Sequence, residues 1–223
     1  MAGSTIYAGS TSIYAYDNST VVVGGGSVIS GNTALSCTGG AVDVRDSAVF
    51  VLSGASRVLN NTSVGFSGGG VAILGAAQVR IEGGSLVCNN TSVGRAVGGG
   101  IAVGGKGQLA LVGGSLVCNN RAGFGGAGIA VAQNATASIR NTTISGNLTP
   151  GLGGGIVAAN NSYVAVFGTI IANNTSLEIE GLGLGGGGAV AARGNAQMQL
   201  LHGTRLLGNR AAFIAGGFAM IDC

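Results

Sequence analysis

Apolar residues in this chain come in bursts of three to five, separated by glycine, serine, asparagine and other small or polar residues. Bursts this short do not make helices; they suit strands. They also come in threes. The first of each three includes AVDV, VAIL, IAV and IVAA; the second includes TVVV, QVRI, QLAL and YVAVF; the third includes SVIS, SRVL, SLVC and TIIA. The clearest unit spans residues 68–97 and recurs at once from Gly98 to Asn120. The opening glycine clusters start at Gly39, Gly68, Gly98, Gly125, Gly153 and Gly185, with a partial copy from Gly216 and an earlier, glycine-poor copy at Ser12 to Asn32. Self-similarity at a nearly fixed period of this length is the mark of a solenoid.

Three short strands per unit predict an all-β chain wound as a right-handed parallel β-helix, about seven rungs of three short strands. At the ~4.8 Å spacing of neighbouring strands, such a rod is about 33 Å long. The reading is one domain over residues 1–223: an irregular start at 1–38, regular repeats at 39–215 and a partial rung at 216–223. Both ends fall within strand-like sequence, so the expectation is a segment of a longer protein. Alternation sets the faces. In the second burst Val79 and Ile81 flank Arg80, and Leu109 and Leu111 flank Ala110. The outward set is then Val22, Phe50, Arg80, Ala110, Ser138, Ala165 and Gln199. In the first burst the outward set is Ala72, Ala102, Ala130, Val157 and Ala191. Such a flat apolar stripe either receives another surface or simply suits a flat sheet.

Each third burst closes on an asparagine: Asn32, Asn61, Asn90, Asn120, Asn147, Asn174 and Asn209. Stacked amides can hydrogen-bond along the axis, one per rung, and asparagine tolerates the left-handed backbone of a tight corner. A structural Asn ladder is therefore expected. The glycines at the opposite corner permit positive φ and close backbone approach.

Composition narrows the function classes. The chain has 223 residues, 46 of them glycine, with 46% hydrophobic and only 8% charged residues. The net charge of +3 and the scattering of Arg80, Arg95, Arg121 and Arg140 argue against a nucleic-acid partner. No apolar run reaches membrane-spanning length, and residues 1–12 lack the regions of a signal peptide.

Candidate chemistry is sparse. Gly100 to Lys106 matches a phosphate-binding loop except that Gly107 stands where a Ser or Thr should hold magnesium. Gly181, Gly183 and Gly186 fit a dinucleotide fingerprint by spacing alone. Glu178 and Glu180 lie on the longest connection without a His, Lys or Asp beside them. His202 is the only histidine. Asp43, Arg45 and Asp46 are the one local acid–base group that a polysaccharide-cleaving β-helix could use. Tyr7, Tyr14 and Tyr16 form either a patch for a partner or sugar, or packing on the first rung. No catalytic residue, cofactor or metal is assigned, and the chain is not expected to be an enzyme.

Cys88 and Cys118 occupy one register on adjacent rungs, within the Cα separation that a disulfide permits. A clamp and two stacked free thiols both fit; Cys37 and Cys223 have no evident partner. Asn-x-Ser/Thr sequons begin at Asn18, Asn60, Asn61, Asn89, Asn90, Asn134, Asn141, Asn147, Asn160, Asn173 and Asn174. Those of the ladder should be unavailable. Asn18, Asn134 and Asn160, at the first corner of their rungs, should be exposed and are the candidate glycan sites.

Pairing of Gly-Gly-[Ala/Ile/Val] with a downstream apolar-x-x-Asn resembles the repeats of polymorphic outer membrane proteins and related β-helix adhesins. The matching elements include Gly39-Gly40-Ala41, Gly69-Gly70-Val71, Gly99-Gly100-Ile101, Gly154-Gly155-Ile156 and Gly187-Gly188-Ala189. Their partners run from Val58 to Asn61, Val87 to Asn90, Val117 to Asn120, Ile144 to Asn147, Ile171 to Asn174 and Leu206 to Asn209, with Val, Ile or Leu where that family has Phe. The resemblance implies a β-helix with a surface, adhesive or scaffolding role. The expected function is a structural or adhesive scaffold, extracellular or on the cell surface, whose partners are other proteins of the assembly or further copies. The alternative is a carbohydrate-binding or polysaccharide-degrading β-helix with glycan partners.

Overall fold

The structure is a computed structural model. It describes residues 5–7 as backbone and residues 10–35, 39–65, 67–178 and 185–221 in full. Cys37, Cys223, Glu180, Gly181 and Gly183 lie outside the described residues, as does the side chain of Tyr7.

The described chain is a β-solenoid of about seven turns. One turn shows the plan: strands Val71–Ile73, Gln78–Ile81 and Leu86–Cys88, then a short fourth strand, Thr91–Val93. Each strand pairs in parallel with its counterparts one turn before and one turn after. Four sheets, or walls, therefore run along the rod, of eight strands (walls one and three) and seven strands (walls two and four). Register is strict. Val79 pairs with Leu109, Val87 with Val117 and Ser92 with Ala122. Residues 13–34, irregular in sequence, supply a strand to every wall.

The three expected strands per turn are present, and the fourth is an addition. Its members are two or three residues long, such as Thr33–Ala34, Arg121–Ala122 and Leu148–Thr149. They are too short and too polar to show as apolar bursts. They form because the ladder asparagine just before them fixes the corner, so the next residues fall in register with the turn below.

Inside the coil, like stacks on like. The centre of wall three reads Ile29, Val58, Val87, Val117, Ile144 and Ile171 in successive turns, all fully buried. Wall one contributes pairs such as Val71 with Ile73 and Ile129 with Val131, and wall two contributes Val79 with Ile81 and Val164 with Val166. β-Branched side chains stack well on a pleated surface, and each buried one contributes about 1.5–3 kcal/mol.

One outward assignment is corrected. Phe50 points inward and is fully buried; Val51 takes the outward place beside Arg80 and Val22. The run Ala48 to Leu52 is apolar throughout, so its period is invisible without a neighbour to set the register. The outward placement of Ala72, Ala102, Ala130, Val157 and Ala191 holds. They face away from the coil yet are buried. The connection leading to each glycine cluster folds back over them and is tied to the next by single bridges, Ser67 to Val97, Val97 to Gly125 and Gly125 to Leu152. A small second core results, holding Ala130, Leu152, Val157, Ala191 and Ala219. The glycines make this possible. Gly98 has φ +69°, and a Cβ there would stand 2.8 Å from the Ala102 Cβ. The chain's own connection, rather than a foreign surface, occupies the stripe.

Truncating a stacked side chain should be felt locally and globally. Ile144→Ala is expected to lower unfolding free energy by about 2–5 kcal/mol, read from the urea midpoint at unchanged slope.

Candidate functional site

The corner between walls three and four is built first by hydrogen bonds. Each ladder amide donates through Nδ2 to Oδ1 of the next: Asn32 to Asn61 at 2.8 Å, Asn61 to Asn90 at 2.9 Å, and Asn90 to Asn120 at 3.1 Å. The series continues from Asn120 to Asn147 at 3.0 Å, Asn147 to Asn174 at 2.8 Å, and Asn174 to Asn209 at 2.9 Å. The same Oδ1 accepts the backbone N–H of the preceding ladder residue, for example Asn61 N–H to Asn90 Oδ1 at 3.0 Å. Nδ2 also reaches back one turn, as from Asn90 to the carbonyl of Val58 at 3.0 Å. One side chain therefore joins three turns. Asn61, Asn90, Asn120, Asn147 and Asn174 have no exposed surface.

The left-handed backbone at this corner belongs to the residue before the ladder asparagine. Positive φ occurs at Gly31, Asn60, Asn89, Asn119, Gly146, Asn173 and Gly208, whereas no ladder asparagine has it. Two adjacent positions divide the work: the outer one bends the chain and the inner one binds the turns together. Cys88 and Cys118 precede this corner in adjacent turns and are joined by a disulfide with a Cα–Cα distance of 4.6 Å.

At the turns between walls one and two, Asn18, Asn134 and Asn160 are all exposed. Asn60, Asn89, Asn141 and Asn173 are exposed as well. Sequence reasoning passed over these four; the Asn-Asn doublet was the available signal for three of them.

Wall two carries a groove of about 640 Å³. Its floor is the outward column Ala110, Ser138 and Ala165. Gln108, Thr136 and Tyr163 line one side and Arg140 with Phe167 the other. Arg140 lies over the Phe167 ring at 4.0 Å, and Phe167 stacks on His202 with centroids 5.6 Å apart. The Tyr163 hydroxyl donates to Gln199 Oε1 at 3.0 Å, and Arg80 is paired with Glu82 at 2.7 Å. The groove thus presents aromatic side chains, amides, hydroxyls and two guanidiniums, those of Arg80 and Arg140, on a paired sheet.

The remaining candidates separate. Asp43 is fully buried and tied to Arg45 by two bonds, 2.9 and 3.0 Å. Asp46 is exposed and accepts the Asp17 N–H at 3.4 Å. Asp43 is flanked in its wall by Tyr14 and Ala72. Tyr14 and Tyr16 are half exposed, 5.5 Å apart, with Arg45 over Tyr14. Glu178 is exposed. The segment resembling a phosphate loop is strand Ile101–Val103, a turn, and strand Gln108–Leu111, with the Lys106 N–H bonded to the Gly75 carbonyl. A phosphate loop needs a helix after its glycines, and here the chain returns to a sheet. No group of three or more metal-ligating side chains occurs among the described residues, and no helix among them is long and apolar enough to cross a membrane.

Comparison with protein families, with characterised proteins and with solved structures finds no match to this chain. The fold class, a parallel β-solenoid, therefore rests on the strand pairing itself.

Two substitutions probe the corner. Asn90→Ala leaves the N–H and Nδ2 of Asn61 without their acceptor inside the coil. At about 1–3 kcal/mol for each buried unpaired group, a loss of roughly 3–5 kcal/mol is expected by urea unfolding, with Asn89→Ala costing far less. Removing the disulfide with Cys88→Ser and Cys118→Ser together should cost about 3–4 kcal/mol by the loop-entropy relation; thermal unfolding with and without reductant provides the check.

Proposed function

We propose that this chain is a non-catalytic structural and adhesive scaffold of an extracellular or cell-surface assembly, acting through protein–protein contacts along its walls. The observation that carries the reading is the Cys88–Cys118 cross-link between adjacent turns. Such bonds persist in oxidising, extracytoplasmic settings. The exposed sequons at Asn18, Asn134 and Asn160 agree with that setting, and glycans there would make it a glycoprotein. The resemblance of the Gly-Gly-[Ala/Ile/Val] and apolar-x-x-Asn elements to polymorphic outer membrane proteins and related adhesins belongs to the same reading. A rod whose turns are joined by backbone, amide and disulfide suits a load-carrying spacer, and an open flat wall suits a broad contact.

A second reading, carbohydrate binding, is favoured by the groove of wall two. Tyr163 offers a ring and Gln108 an amide on one side of the floor, and Arg140 offers a guanidinium on the other. These are the groups that bind sugar faces and hydroxyls.

Adhesion of protein-coated beads to living cells, run beside a soluble glycan array, tests both. Under the scaffold reading the beads adhere, the array stays blank, and Ala110→Trp on the groove floor lowers adhesion about tenfold, the equivalent of ~1.4 kcal/mol. Array binding that disappears with Tyr163→Ala and Arg140→Ala would replace it with the second reading. Beads no stickier than albumin-coated ones, with a blank array, would remove both.

A further inference from the structure

The outer corner carries three doublets of identical form: Asn60-Asn61-Thr62-Ser63, Asn89-Asn90-Thr91-Ser92 and Asn173-Asn174-Thr175-Ser176. Each holds two overlapping sequons. The first asparagine is followed at the required distance by Thr, the second by Ser. By sequence alone either amide is an acceptor for an N-linked glycan. The fold makes them opposites. Asn60, Asn89 and Asn173 are exposed, with φ of 56°, 57° and 54°, at the corner between walls three and four. Asn61, Asn90 and Asn174 are fully buried, with Nδ2 committed to carbonyls of the preceding turn and to the next Oδ1. A sugar on that nitrogen would replace a bonded hydrogen and stand where the next turn must stack.

We infer that Asn60, Asn89 and Asn173 are N-glycan attachment sites, and that the ladder excludes Asn61, Asn90 and Asn174 from modification in the folded protein. The inference rests on the extracellular reading above, in a secretory pathway that performs this chemistry. The donor class is an oligosaccharide on a polyprenyl pyrophosphate. The amide nitrogen attacks the anomeric carbon, the N–C bond forms, the C–O bond to pyrophosphate breaks, and one amide proton is released, without redox change. The transfer reaches the chain before the turn closes. Only the outer product leaves the ladder intact, so folding selects the outer sites. Glycans there would project from the corner between walls three and four and leave wall two open.

The same column holds an internal control. Asn119 has the same exposed, left-handed geometry, with φ of 52°. Its sequence, Asn119-Asn120-Arg121, lacks the hydroxyl. It stays bare, and Arg121→Thr would convert it.

The test expresses the full chain behind a secretion leader in a eukaryotic cell line. Both retained and secreted protein are digested with peptide-N-glycanase in ¹⁸O water, and former glycan sites are mapped by peptide mass spectrometry. Expected are labels at Asn60, Asn89 and Asn173, none at Asn61, Asn90 or Asn174, and one band step lost with each of N60Q, N89Q and N173Q. Arg121→Thr in the N89Q background, which keeps neighbouring glycans two turns apart, regains one step at Asn119. Bare outer asparagines, or label on the ladder asparagines of secreted protein, would overturn the inference. Non-reducing peptide mapping of the Cys88–Cys118 bond separates the two claims. Bond formed with outer sites bare sinks this inference and spares the extracellular reading; glycans present with the two thiols free supports the inference and counts against that reading.

Discussion

A buried asparagine side chain that serves three turns at once is the interaction on which this molecule depends. Strand pairing alone would hold neighbouring turns together, but parallel strands of three residues offer few bonds and could slip. A one-residue slip turns every inward side chain outward. The amide column prevents it. Oδ1 accepts from both the backbone and the side chain of the turn before, while Nδ2 donates back to a carbonyl and forward to the next Oδ1. Inside a medium of low polarity an unpaired amide is costly, so only one stacking height and one register satisfy all partners. The insertion before Asn209, which lengthens that turn to 35 residues, leaves its ladder bond at 2.9 Å. Extra chain is put into the connection; the corner is kept.

From that fixed corner the other features follow. The fourth strand begins directly after the ladder residue and is positioned by it, which is why two residues suffice. The outer neighbour must then turn the chain sharply. It does so in the left-handed region, where glycine and asparagine are tolerated, and those are the only residues found in the column. On the far side, the connection folds over wall one, and its close approach requires glycine above and small side chains, alanine or valine, below. Two corners and two side-chain sizes thus account for most of the unusual composition. The entropy cost of ordering so much glycine is offset by repetition, since each turn is paired on both sides.

The walls divide the labour. Wall one is covered by the chain's own connections, wall three carries the β-branched spine and, at its edge, the disulfide, and the corner after it carries the doublets. Wall two presents a groove of mixed chemistry, with small residues between longer ones. A rigid support with an adaptable face is what a scaffold or a binding module requires, and the aromatic–guanidinium stack of Arg140, Phe167 and His202 gives that face a fixed edge. The Asp43–Arg45 pair is a different case, a buried carboxylate held by two bonds from a partly exposed guanidinium that also lies over Tyr14.

Period and burst length settled the winding, because residues that recur every thirty positions must meet the same neighbours in every turn. They also located the ladder, since a polar residue that recurs at the end of every apolar burst must be satisfied by its own copies. The sequence alone could not say which member of an Asn-Asn doublet is inside, because both share the same composition and motif. Nor could it orient Phe50, in a run apolar at every position, or find the fourth strand, whose residues carry no hydrophobic signal. The covering of Ala72, Ala102 and Ala130 was equally hidden, since an alanine facing outward reads the same whether solvent or a returning loop lies above it. These choices are made by contacts between turns: a neighbour one rung away sets the register, fills the space or takes the hydrogen bond, and only the folded stack brings that neighbour into place.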